Sequence, residues 1–187
     1  MVELINHPEM FSKVKEEIES IVGRSRLVEE SGVPNLPYLR AAVKESLRLH
    51  PPTPVLVWEV YENCNIKGFD ITERTITVIN LCAIMRDPDL WEKPQEFQPE
   101  RFLVCSKEQK SNNPDEETKK QLINYLSFGG GKVRSCPSSL LALALMNTAI
   151  ATMVQCFDFE EAGSGVSITT LSQQLQCRPV VHFNPFH

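Results

Sequence analysis

The sequence has no C-x-x-C pair: its six cysteines, Cys64, Cys82, Cys105, Cys136, Cys156 and Cys177, lie far apart. That excludes zinc fingers and ribbons built on closely spaced thiolates. It has no excess of positive charge, since 19 Lys and Arg against 24 Asp and Glu leave a net charge of -5, the wrong sign for a nucleic-acid-binding face. No signal peptide is read at its start, so the cysteines are expected to be reduced thiols rather than a disulfide framework. It has neither an internal repeat nor a linker that would divide it in two. No run reaches the length of a membrane span. Leu140 to Val154 comes closest and is interrupted by Asn147 and Thr148. A run this short reads as a buried core helix, and being apolar nearly all round it needs protein on several sides. A chain of 187 residues suffices for one domain with one core, but it has trouble wrapping such a helix, so a part of the surroundings is expected to be missing.

What is present starts with helices. Apolar residues at Leu4, Ile5, Phe11, Val14, Ile18 and Ile21 predict a helix over Val2 to Val22, stopped by Gly23, with Pro8 near its start or marking a break. The chain is thus expected to begin in or against a helix with no leader before it. A second helix is predicted over Leu36 to Leu49, with Asn35 as N-cap, Pro37 in the first turn and Pro51-Pro52 at its end. Val55 to Asn80 carries β-branched strand signals, with Lys67-Gly68 as a turn between two short strands. Leu81 to Met85 reads as a helical turn, and Arg86 to Phe102, rich in Pro, Trp and Phe, as an irregular meander. Val104 to Lys120 is polar and reads as a solvated loop. Short strands are expected at Cys156 to Glu160 and Arg178 to Phe183.

The stretch FGGGKVRSCP, Phe128 to Pro137, sets one cysteine after a glycine-rich loop, beside Lys132 and Arg134 and before the apolar helix. Glycines let backbone approach a flat ligand. Cations pair with carboxylates. A helix start favours a thiolate. Read alone, the stretch leaves several roles open: glycine-rich loops before helices more often bind phosphate, and a lone cysteine is more often inert core.

Glu45 and Arg48 share a face of the second helix. Alone they read as a surface pair of small worth. Their company changes that reading. The segment KESLRLHPP is followed by PERF, Pro99 to Phe102, and then by the cysteine loop. An E-x-x-R helix, a P-E-R-F meander and an F-G-x-G…R-x-C-P loop, in that order, resemble the C-terminal half of a cytochrome P-450 of plant microsomal type, a haem-thiolate monooxygenase. The resemblance covers essentially the whole chain, including NLPYLRAAVKESLRLHPPTP, INLCAIMRDPDLWEKPQEFQPERF and ALMNTAIATMVQCFDFE.

The resemblance implies an α+β, mainly α fold: the haem-proximal portion of the family fold over residues 1–187, with the distal oxygen-activating helix and the N-terminal anchor absent. The partners of the first helix and of the helix from Leu140 would lie in the absent half, so both are expected to expose apolar surface. It implies haem b as cofactor, with Cys136 as axial ligand of the iron, Arg134 at a propionate, and Phe128 and Gly131 in the cysteine loop. Glu45, Arg48 and Arg101 would form a buried salt-bridge network bracing the meander. No catalytic residue is assigned within this chain. The complete protein would lie at the cytosolic face of the endoplasmic reticulum membrane. There it would take electrons from NADPH through a cytochrome P-450 reductase and insert one oxygen atom into a small apolar metabolite. No nucleic acid partner and no membrane span in this chain are expected.

Three departures from the family pattern bear on the cofactor. Phe128 stands eight residues before Cys136, where the family has seven, so Phe128, Gly131 and Arg134 cannot all hold family positions. Ser138 stands where the family has glycine and is expected to crowd the porphyrin or the helix start. Trp58 stands where similar sequences have an arginine for the other propionate. Two further readings therefore accompany the monooxygenase one: a non-catalytic truncated remnant or incomplete gene model with impaired haem binding, and a scaffold or partner-binding domain.

Overall fold

The computed structural model describes residues 1–103, 125–130, 136–160 and 176–179. The expected loop over Val104 to Lys120, the site residues Gly131 and Arg134, and the end of the last expected strand lie outside them. The described residues combine helices with three small antiparallel ladders, in two compact units.

The first unit holds residues 1–46, 97–103, 136–160 and 176–179. Its opening helix is broken in two, α1 over Val2–Asn6 and α2 over Pro8–Ile21. The cause is the proline: His7, which precedes it, takes φ -125 and ψ 76, outside the helical region. Apolar surface was expected on this helix for want of partners. Val14 and Ile18 are instead fully buried, and Ile21 is the exposed exception at 44%.

A 3-10 helix over Glu30–Asn35 leads into α3, Pro37–Leu49, of which the first unit holds residues as far as Ser46. Asn35 is not the N-cap that the sequence suggests, because it ends the 3-10 helix. The free N–H groups at the start of α3 go to a carboxylate from elsewhere: Glu17 on α2 accepts from Tyr38 N at 2.8 Å and Leu39 N at 2.9 Å. Burial pushes the Glu17 carboxyl above its ordinary range, and these two backbone bonds pull the other way. Glu100 opens the short helical turn at 100–103 and accepts from Lys13 Nζ at 2.8 Å and Tyr38 Oη at 3.0 Å. The turn that carries Arg101 is therefore held to both α2 and α3.

The apolar segment forms α5, Ser139–Cys156, against α2 and the 3-10 helix. It runs on through Asn147 and Thr148. Asn147 Nδ2 donates to Leu143 O at 2.6 Å, one turn back, while Asn147 Oδ1 and Thr148 Oγ1 are buried without a hydrogen-bond partner among the described residues. At 18 residues and a mean hydropathy of 1.6, α5 is long and apolar enough to cross a membrane, by length and composition alone. The sequence reading had stopped short of that length. Nor is it a buried core helix. Only Asn147, Ala151 and Val154 are buried, while Leu140, Leu141, Leu145 and Met153 are 82%, 62%, 62% and 42% exposed. Its C-terminal end is anchored by Gln155, which accepts from Val28 N at 3.0 Å and donates to Arg26 O at 3.1 Å. Strand β5, Phe157–Glu160, follows directly and pairs with β6, Gln176–Pro179.

The second unit holds residues 47–96 and 125–130. Strands β1, Val55–Glu59, and β4, Ile76–Asn80, pair antiparallel with Val57 opposite Val78 and Trp58 opposite Thr77. Between them, β2, Cys64–Ile66, and β3, Phe69–Ile71, form a hairpin. Its turn residues Lys67 and Gly68 have φ 51 and 89, the two positive angles of the type I′ turn that matches strand twist. Asn80 caps the short α4, Leu81–Ile84, by accepting from Ala83 N at 3.0 Å. The rest of this unit's meander is irregular turns that bury Met85 and Trp91.

Candidate functional site

The two charged residues singled out on α3 are both fully buried. Glu45 belongs to the first unit and accepts from Gln98 N at 3.0 Å and Arg101 Nε at 3.1 Å. Arg101 also donates to Gln98 Oε1 at 3.2 Å, and its side chain is 7% exposed. This is a buried, hydrogen-bonded ion pair, the form in which charge is tolerated away from water. It joins α3 to the meander's end. Arg48 belongs to the second unit. Its guanidinium donates from Nη1 to Met85 O at 2.7 Å and Pro94 O at 2.8 Å and from Nη2 to Glu96 O at 3.3 Å, and it lies 5.1 Å from the Trp91 ring centroid. Its planar fork gathers carbonyls that irregular backbone would otherwise leave unsatisfied, and the aromatic face accepts its charge.

Cys136 lies three residues before α5. Ser139 N donates to Cys136 O at 3.1 Å, closing the turn into the helix. The thiol is partly exposed, and its Sγ stands 3.1 Å from Ser138 Oγ. That hydroxyl, with the Ser138 backbone N–H, pulls the Cys136 thiol below its ordinary range, against a smaller upward effect of burial. The sequence reading credits the helix start and the neighbouring cations and treats Ser138 as a crowding residue. In the structure its hydroxyl stands against the sulfur. The available signal was the residue type: a serine at a helix N-cap carries a polar group that must go somewhere.

The other loop residues are distributed. Phe128 is half-buried in the second unit, in a turn where Gly129 has φ 87 and donates to Leu126 O at 2.9 Å. Gly130 follows, and a Cβ there would come 2.8 Å from Leu126 Cδ2, so that leucine side-chain tip would have to shift to admit one. Gly131 and Arg134 lie outside the described residues. The structure thus joins Glu45 with Arg101, and Cys136 with Ser138. Arg48, Cys136 and Phe128 are each placed within their own unit.

The second unit also holds a cavity. It has a volume of 560 Å³ and is lined by Leu56, Trp58, Thr77, Ile79, Leu126 and Gly130, among others. Leu56 and Trp58 face it from β1 and Thr77 and Ile79 from β4, the pairs Leu56–Ile79 and Trp58–Thr77 sharing one side of the ladder. This size and mainly apolar lining suit a small organic ligand. Among the described residues no three His, Cys, Asp or Glu side chains gather into a metal cage.

The family model described as cytochrome P-450 matches residues 1–180. Cytochrome P-450 705A12 of Arabidopsis thaliana is 48% identical over 100% of this chain and 38% of its own length. Beta-amyrin 24-hydroxylase of Glycine max is 42% identical over 100% of this chain and 37% of its own length. The 3,9-dihydroxypterocarpan 6A-monooxygenase of Glycine max is 39% identical, again over 100% of this chain and 37% of its own. The chain therefore spans little more than a third of the length of these relatives.

Proposed function

Because the chain belongs to the cytochrome P-450 family, we propose that it supplies the haem-proximal part of a plant monooxygenase, with Cys136 as the thiolate ligand of haem b. The observation that carries this reading is the Cys136 thiol, partly exposed at the start of an 18-residue helix and drawn toward the thiolate by Ser138. A metal ligand must be deprotonated, so the donor chemistry fits. When bound, haem supplies the oxygen chemistry, its thiolate ligand pushing electron density that favours O–O cleavage.

The chain's own residues have supporting roles in this reading. Cys136 would hold the iron and Arg134 would pair with a propionate, and Phe128 and Gly131 are the further loop residues that the family resemblance implies. Glu45, Arg101 and Arg48 hold the meander so that the loop following it starts from a fixed place. The complete protein would receive electrons from NADPH through a reductase at the cytosolic face of the endoplasmic reticulum. It would hydroxylate a small apolar metabolite, a class consistent with relatives named for β-amyrin and for a dihydroxypterocarpan. The test is the absorbance of the reduced, CO-treated protein. A thiolate-type Soret band that is lost in Cys136→Ala supports the reading, and its absence from the unsubstituted protein refutes it.

A second reading, weakened haem retention, is favoured by Trp58. Its indole lines the cavity where similar sequences carry an arginine, and the loss of that cation removes a charge-assisted bond to a propionate. The extra residue between Phe128 and Cys136 acts in the same direction. Deleting Val133 restores the family spacing and should slow haem transfer to apomyoglobin; an unchanged transfer rate would dismiss the loop as the cause.

A further inference from the structure

Ser138 is the N-cap residue of α5, yet its side chain makes no capping bond. An N-cap serine ordinarily accepts from the N–H of the second or third helical residue. Here the backbone closes the helix start by itself, with Ser139 N donating to Cys136 O at 3.1 Å and Ala142 N to Ser138 O at 2.9 Å. The hydroxyl is left for another partner, and it stands 3.1 Å from Cys136 Sγ. A hydroxyl has one proton to give, and a thiolate has none, so toward a metal-bound thiolate Ser138 can only donate. The contact depends on a turn of three residues within one unit, and the same turn fixes both partners.

We infer that Ser138 is a positioning residue for the metal ligand: its hydroxyl donates a hydrogen bond to the Cys136 thiolate and draws charge off the sulfur. This inference rests on the haem-ligating reading. Hydrogen bonds from outer-shell partners tune both a ligand and its metal, and for haem they are one of the protein's levers on potential. A sulfur that has given up density to a proton donor stabilises ferric iron less. The ferric–ferrous couple of the unsubstituted protein is therefore more positive than it would be without the hydroxyl.

The experiment compares the haem-loaded full chain with Ser138→Ala and Ser138→Thr, reading the midpoint potential and the Soret band of the ferrous–CO form. Far-UV circular dichroism verifies that each variant keeps its helices. The expected result is a potential shifted to more negative values in Ser138→Ala, with a displaced Soret band, and near-native values in Ser138→Thr, which keeps the hydroxyl. A thiolate-type Soret band in all three proteins with one common potential overturns this inference and leaves Cys136 ligation standing. A potential shift in Ser138→Ala that Ser138→Thr fails to reverse also overturns it, since the effect then belongs to packing. Absence of the thiolate band from the unsubstituted protein overturns the haem reading and this inference together.

Discussion

Glu45 and Arg48 reach partners between 37 and 56 residues away along the chain, whereas the sulfur of Cys136 has Ser138, two residues away, as its partner among the described residues. The first arrangement is buried and non-local. Each of these two buried charges finds its partners only when its own unit is folded, and their loss is a loss of fold. The second arrangement is partly exposed and local, set by the backbone of a single turn. Scaffold stability and thiol chemistry therefore reside in different parts of this chain, and each can be altered without the other.

The sharpest way to break that contrast is to truncate the brace. Glu45→Ala leaves the Arg101 guanidinium and Gln98 N–H without their acceptor in a buried place. Removing one member of such a pair costs about 3–5 kcal/mol, much or all of the stability of an ordinary domain. Urea denaturation of Glu45→Ala should show a midpoint lowered accordingly or no cooperative transition. A midpoint near that of the unsubstituted protein would mean the pair is not the brace described here. The double variant with Arg101→Ala should cost less than the sum of the two single changes, because the stranded charge is gone as well.

A smaller effect is expected at the start of α3. Glu17→Ala deprives Tyr38 N and Leu39 N of their acceptor, and loss of an N-cap acceptor costs about 0.5–2 kcal/mol. The Glu17 carboxyl is raised by burial, which sets a sign for pH. Between its unfolded and its folded pKa the native state holds more protons than the unfolded state. Stability from this group therefore declines as pH rises through that window. Glu17→Gln keeps an acceptor oxygen and removes the titration, so its stability should be flatter over the same range. An unchanged pH profile would show that the half-buried carboxylate is better solvated than its surroundings imply.

These two sites also show what the residues disclosed and what they withheld. The pairing of Glu45 with Arg101 and the Lys67-Gly68 turn were legible. In the first, ordered motifs stand for a contact; in the second, two residues with positive φ define the turn. The cap at α3 was not. A local rule points to Asn35, and the carboxylate that does the work comes from Glu17, 21 residues before Tyr38. The acceptors of Arg48 were equally hidden, because they are main-chain carbonyls of an irregular segment with no side-chain signature. The exposure of Leu140, Leu141 and Leu145 on α5 was anticipated as unpartnered surface. On the first helix the same expectation failed, since its stripe had partners within its own unit. Periodicity tells which face is apolar but not what is available to cover it.

At the cysteine end, Cys136→Ala should leave the urea midpoint unchanged, because the side chain is partly exposed and tied only to its neighbour. A clear drop in the midpoint would place Cys136 inside the scaffold and erase the distinction from the brace.

The last and finest test stays with the fold intact and sets one end of α5 against the other. Cys136 stands just before the helix and Cys156 closes it. The Ser138 hydroxyl and backbone N–H draw the Cys136 thiol below its ordinary range, while burial pushes Cys156 above it. Alkylation proceeds through the thiolate, so below the ordinary thiol pKa Cys136 holds the larger thiolate fraction. Iodoacetamide labelling of the haem-free chain between neutral pH and about pH 8.5, the free-thiol value, followed by peptide mass spectrometry, should modify Cys136 well before Cys156. The difference should narrow as pH rises and both become thiolates. Ser138→Ala should slow Cys136 toward ordinary thiol behaviour and leave Cys156 where it was, since the two lie at opposite ends of an 18-residue helix. If exposure alone set the rates, Cys136 would stay faster by the same factor at every pH and Ser138→Ala would change nothing. That outcome would leave the cysteine in place as a candidate ligand and remove Ser138 from its chemistry.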